Sequence, residues 1–147
     1  MGITHLMEQK TKLSELTDQF DTTGFQPEEH KKVFKEGILY YVTYGESTKT
    51  PLLSIHGSPG DWTAWKELMV QPEIYTYYFI IVMDQIPYHQ STIKGFYSLA
   101  EQSDFLESIT DRYCSPFVVA GHSYGGALPL QVGTDYPDQV GAVLSIA

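Results

Sequence analysis

The sequence predicts an α/β fold, a mainly parallel sheet with helices on both faces, and three observations predict it. Short segments that are apolar throughout recur along the chain, as strands covered on both faces require. They alternate with stretches of helical spacing of about 10 to 15 residues, the pattern of βαβ units. Between them lie clusters of Gly, Pro, Asp and Ser that force turns.

Residues 1–37 form a polar N-terminal arm, with weak helical spacing at Leu6, Leu13 and Leu16, expected at most to lie over the domain. The domain proper spans 38–147. Ile38 to Tyr44 is β-branched and aromatic and reads as a strand; Leu52 to Ile55 is a second one, stopped by His56-Gly57-Ser58-Pro59-Gly60. Asp61 is placed as a helix N-cap, and Trp62, Trp65, Leu68 and Met69 make one apolar face of a short helix ending before Pro72. Phe79 to Met83 is a strand that stops at Asp84. Ser98 and Glu101 form a capping box, followed by Leu99, Phe105, Leu106, Ile109 and Tyr113 along one helical face. Phe117 to Ala120 reads as a strand, residues 126–136 as a helix that tolerates Pro129 in its first turn, and Val140 to Ala147 as a last strand. The tyrosines at 75, 77 and 78 are expected in an amphipathic core layer.

A length of 147 residues suits about one domain, and 42% hydrophobic against 18% charged residues places the chain among folded globular proteins. The net charge of -9 is uneven, with 8 acids against 6 Lys or Arg in residues 1–50 and 10 against 3 in residues 51–147. That distribution argues against nucleic acid or an anionic membrane as partner, because both need clustered cations. Lys31, Lys32 and Lys35 are interleaved with Glu28, Glu29 and Glu36, as on a solvated face. The first thirty residues have no leader-like apolar run and no stretch is long enough to span a bilayer, so a soluble, cytoplasmic protein is expected. Cys114 has no disulfide partner and reads as a buried or half-buried spectator. His5, His30, His56, His89 and His122 lack zinc-ligand spacing, and no G-x-G-x-x-G occurs, so no metal and no cofactor are expected.

Gly121-His122-Ser123-Tyr124-Gly125 matches G-x-S-x-G, a strand-to-helix turn that lifts a serine hydroxyl above a sheet. An apolar strand precedes it and a small-residue helix follows, the context the turn needs. The earlier His56-Gly57-Ser58-Pro59-Gly60 loop is a second piece: acyl transfer requires donors for an oxyanion, commonly one backbone N–H after the nucleophile and one from a loop after an earlier strand. Tyr124 and Ser58 are the candidates.

These segments, with the strand ending at Asp84, resemble the N-terminal half of an α/β-hydrolase-fold serine hydrolase over residues 38–147. The resemblance implies an incomplete α/β-hydrolase fold ending at about the sixth strand. It implies Ser123 as nucleophile, Ser58 and Tyr124 as oxyanion-hole N–H donors, and structural roles for His56 and His122. The family's haloalkane dehalogenases and epoxide hydrolases carry a similar H-G-x-P loop but an aspartate at the elbow, so Ser123 points to an ester, amide or thioester, or a related carbon–carbon bond. The loop Asp84-Gln85-Ile86-Pro87-Tyr88-His89-Gln90-Ser91 departs from the family's Asp-x-Pro-Gly-x-Gly-x-Ser, keeping Asp84 and Ser91 but neither glycine. Asp84 is read as a loop-ordering acceptor and His89 as a solvated loop histidine without a partner.

In this fold the triad runs Ser, then Asp or Glu, then His, yet Ser123 is followed by Asp135 and Asp138 and no histidine. Those two acids flank Tyr136-Pro137 and are placed at the surface, far from Ser123. The isolated chain is therefore expected to be inactive, a fragment of a longer serine hydrolase acting on a small-molecule acyl substrate. The alternative is a non-catalytic binding module, or a half-domain that pairs with a partner chain. Trans-complementation by a chain carrying acid and base lies between these. An uncharged strand at 140–147 would be an edge open to self-association.

Overall fold

The computed structural model describes Leu13, Phe20 and residues 23–113 and 116–147. Cys114, Leu6 and Leu16 lie outside the described residues, so the readings made for them stay with the sequence.

The elements are β1 (Glu28–Phe34), β2 (Gly37–Tyr44), β3 (Thr50–Ile55), a 3-10 turn (Trp62–Trp65) running into α1 (Lys66–Met69), α2 (Pro72–Tyr75), β4 (Tyr78–Met83), α3 (Leu99–Thr110), β5 (Phe117–His122), a 3-10 turn (Ser123–Gly126) running into α4 (Ala127–Asp135), and β6 (Val140–Ile146). The strands make one six-stranded sheet in the order β1-β2-β4-β3-β5-β6. Pairings β3–β4, β3–β5 and β5–β6 are parallel, and β1–β2 and β2–β4 antiparallel.

Period-two alternation sends successive side chains to opposite faces, and both faces are covered. On one, Leu53, Ile55, Ile81, Met83 and Val119 pack against Leu106 and Ile109 of α3 and Leu128 and Val132 of α4. On the other, Tyr40, Val42, Ile80 and Val82 pack with Trp62, Trp65, Met69 and Phe20. Ile80 to Met83 are fully buried, hence the unbroken apolar run in the sequence. The capping box forms as expected: Ser98 Oγ accepts from the Glu101 N–H at 3.2 Å and Glu101 Oε2 accepts from the Ser98 N–H at 2.8 Å.

Two expectations need correction. The sheet does not begin at Ile38, because β1 lies inside the stretch read as a polar arm and pairs with β2 from Glu28↔Thr43 to Phe34↔Gly37. Its sequence EEHKKVF carries charge on both faces, as an edge strand can, so apolar alternation is absent. What holds it is cross-strand: the His30 ring stacks on its register partner Tyr41 at 4.8 Å, and the Tyr40 hydroxyl donates to Glu29 Oε1 at 2.7 Å. The second correction concerns Trp62–Met69, which is a 3-10 turn and one α turn rather than a continuous helix, followed by α2, where Pro72 fits the first helical position. Tyr75 and Tyr78 pack against the second core cluster as expected, whereas Tyr77 is exposed.

Candidate active site

β5 runs straight into Ser123, whose φ of +53° is in the left-handed region that a non-glycine residue avoids at a cost of about 1–2 kcal/mol. Close packing of two glycines maintains this conformation. A Cβ on Gly121 would overlap the Gly125 carbonyl and lie 2.7 Å from the Pro129 ring. One on Gly125 would overlap the His56 carbonyl and lie 3.0 Å from both Gln85 Nε2 and Ile55 Cγ2. Backbone therefore meets backbone, the chain must reverse sharply, and Ser123 is left exposed at the C-terminal end of β5. Pro129 is the third residue of α4, where its missing N–H would have had no intrahelical acceptor.

The register pair Ile55↔Gly121 places the loops after β3 and β5 side by side. A Cβ on Gly57 would lie 3.2 Å from Ser123 Cβ and 3.1 Å from His122 Nδ1, so the two motifs touch. Ser58 and Tyr124 are both exposed there, one on each loop, and His122 is exposed beside Ser123.

Beneath the loops, His56 is buried, with Nδ1 2.6 Å from the Gly57 carbonyl and Nε2 accepting the Gln85 N–H at 3.0 Å. An Nε2 acceptor leaves Nδ1 as the protonated donor, and burial pushes the imidazole below its ordinary pKa. His56 is thus a neutral strut. The Gln85 carboxamide adds a bond from Nε2 to the His56 carbonyl, tying the loop after β4 to the loop after β3. Nothing in the sequence marked Gln85, because its role depends on where His56 and Gly125 lie.

Asp84 is fully buried and acts as the expected loop-ordering acceptor. Its Oδ1 accepts the Trp62 N–H at 2.9 Å and its Oδ2 the Gln90 N–H at 3.1 Å. Burial outweighs these bonds and raises its carboxyl to about 6. Ser91 Oγ donates to the Asp84 carbonyl at 2.6 Å and accepts the Tyr40 N–H at 3.0 Å. His89 departs from the solvated reading. Its φ is +50°, its ring centroid lies 6.3 Å from that of His56, and its Nδ1 is buried without a hydrogen-bond partner.

Asp135 and Asp138 are exposed, at and beyond the far end of α4 from Ser123. No group of three or more His, Cys, Asp or Glu able to hold a metal occurs among the described residues. Among those residues no helix is long and apolar enough to cross a membrane.

Known proteins resemble this chain in sequence and in fold. The mouse protein Epoxide hydrolase 4 is 28% identical over 109 residues, covering 69% of this chain and 29% of its own length. Lipase LipV of Mycobacterium tuberculosis is 30% identical over 108 residues, covering 72% of this chain and 40% of its own. The chain thus spans well under half the length of these relatives. Among solved structures, an epoxide hydrolase from an endophytic Streptomyces superposes with a TM-score of 0.70 at 20% identity, over 80% of this chain and 36% of that one. The thioesterase domain from the curacin biosynthetic pathway gives 0.70 at 20% identity, over 80% and 45%. At that identity the superpositions speak for the fold alone. The profile of the alpha/beta hydrolase family matches residues 52–147, from β3 through the elbow to β6, and with the sheet order and the strained serine it establishes that this chain belongs to that family.

Proposed function

We propose that the chain carries the nucleophile-bearing part of a serine hydrolase that cleaves an ester, amide or thioester through an acyl-enzyme. The observation that carries the proposal is the left-handed backbone of exposed Ser123 at the end of β5, in contact range of the His56–Gly60 loop. In this reading Ser123 Oγ attacks the substrate carbonyl carbon while its proton passes to a base, and the main-chain N–H groups of Ser58 and Tyr124 stabilise the oxyanion. The leaving group departs with a proton, and water then releases the acid and restores the hydroxyl. The relatives are named for epoxide and for lipid chemistry; a serine at this position favours the ester class, since a hydroxyl assisted by a base forms an acyl-enzyme.

No histidine follows Ser123 within these residues, and His56 is held neutral by two bonds beneath the loops. The base is therefore assigned to residues outside the 147. The reading frame past Ala147 is expected to encode an Asp or Glu and then a His. A polypeptide carrying both should be labelled at Ser123 by a fluorophosphonate and lose labelling in Ser123→Ala, while the 147-residue chain alone stays unlabelled. Labelling of a different residue, or none in the longer polypeptide, overturns the proposal.

One observation favours the second reading, a half-domain that pairs with a partner chain. Six of the seven residues of β6 are exposed, Leu144 by 53%, and none is charged. Protection of amides 140–147 from hydrogen exchange in a stoichiometric complex would support it, and unprotected amides in a monodisperse monomer would remove it.

A further inference from the structure

Beside the elbow, the loop after β4 and the start of α3 enclose a cleft of about 290 Å³. One wall is the ring of Tyr124, the residue after Ser123, which is 64% exposed. A second is Tyr88, whose hydroxyl lies 3.5 Å from Ser58 Oγ. Phe96 and Tyr97 close the third side. The cleft thus opens beside the side chains of both residues assigned to the oxyanion hole.

Its lining is aromatic and uncharged, with polar groups reaching its surface beside the rings. Four aromatic rings and no charged side chain line it. Two of its polar ends are engaged by backbone: the Tyr97 hydroxyl donates to the Lys94 carbonyl at 3.0 Å, and Gln102 Nε2 donates to the Tyr97 carbonyl at 3.0 Å. Phe96 is fully exposed, an apolar ring that gains by being covered. Residues 51–147 carry 10 acids against 3 bases, a field that repels anionic ligands. As for size, a dry cavity of about 150 Å³ takes up benzene, so this cleft has room for a substituted ring.

We infer that this cleft holds an uncharged aryl group, carried by the ester, amide or thioester whose carbonyl is presented to Ser123. The catalytic meaning of the cleft rests on the proposed role of Ser123; the binding does not need the hydroxyl. Rings stack face or edge on Tyr124, Phe96 and Tyr97, a geometry that favours an aryl group over an alkyl chain of equal area.

The test is a titration of the ¹⁵N-labelled 147-residue chain with benzyl acetate, butyl acetate and phenylacetate, followed by amide shifts. Benzyl acetate should shift Gly95, Tyr97, Gln102 and Tyr124 saturably, and bind about tenfold more tightly than phenylacetate. Butyl acetate should bind several-fold more weakly than benzyl acetate. Phe96→Ser, at an exposed position where folding is not at stake, should weaken benzyl acetate about fivefold. Tyr77→Ser, an exposed aromatic elsewhere, should bind as the parent chain does. Shifts confined to other surfaces, equal binding of the three ligands, or a Phe96→Ser chain that binds unchanged would overturn the inference. Binding that persists although the longer polypeptide fails to label at Ser123 would leave the cleft standing and remove the nucleophile.

Discussion

Two loops meet at the candidate site, and they are held by opposite means. The elbow after β5 is fixed by the absence of side chains: Gly121 and Gly125 let backbone approach backbone, and Ser123 takes a strained φ because no other path remains. The loop after β4 has no glycine between Asp84 and Ser91 and is fixed by buried polar groups instead, with Asp84, Gln85 and Ser91 each bonding backbone. Steric fixation is stiff and fails abruptly when an atom is added. Fixation by hydrogen bonds fails by degrees and is sensitive to protonation.

The largest expected effect lies on the steric side. In Gly125→Ala the new methyl meets the His56 carbonyl, which is itself pinned by Gln85, so neither can yield. A loss of about 3 kcal/mol or more is expected from denaturant unfolding, at the upper end for overpacking. A loss under about 1 kcal/mol would show that the elbow is softer than the contrast supposes. Next comes Gln85→Leu, which keeps the backbone donor to His56 Nε2 but leaves the buried His56 carbonyl without its carboxamide partner. About 1–2 kcal/mol should be lost, and the His56 ring nitrogens should keep their neutral signature in ¹⁵N spectra.

The elbow was legible in the sequence because its rule is local. A strand, two glycines at fixed spacing and a serine prescribe the turn whatever surrounds them, and Ser98 with Glu101 prescribes a helix start in the same way. Gln85 and His89 were illegible for the opposite reason: each matters through neighbours brought together by β3, β4 and β5. β1 was missed because an edge strand can carry charges on both faces, so its signal lies in its partner β2 rather than in itself.

Protonation sharpens the contrast further. Asp84 has a folded pKa of about 6, above its unfolded value, so its contribution is fully present below the unfolded pKa and lost as pH rises through about 6. The stability of the parent chain relative to Asp84→Asn should therefore grow by about 1 kcal/mol between pH 7 and pH 5. His56 acts in the other sense, since its depressed pKa means that neutral burial is lost as pH falls below the ordinary histidine value. Comparing the parent with Asp84→Asn cancels that common background. A gap that stays flat with pH would mean that Asp84 is not the titrating group of this loop.

The smallest effect has the opposite sign. Ser123 is strained at φ +53°, so Ser123→Gly relieves the backbone where glycine is at ease, while the unfolded chain gains freedom that offsets part of the relief. A net stabilisation of about 0.5–1 kcal/mol is expected from thermal unfolding, together with loss of any labelling at this position. The strain belongs to the elbow rather than to the serine: the close approach of Gly121 and Gly125 imposes it. If Ser123→Gly is neutral or destabilising, the side chain contributes to the fold as well, and the turn would be held from both sides.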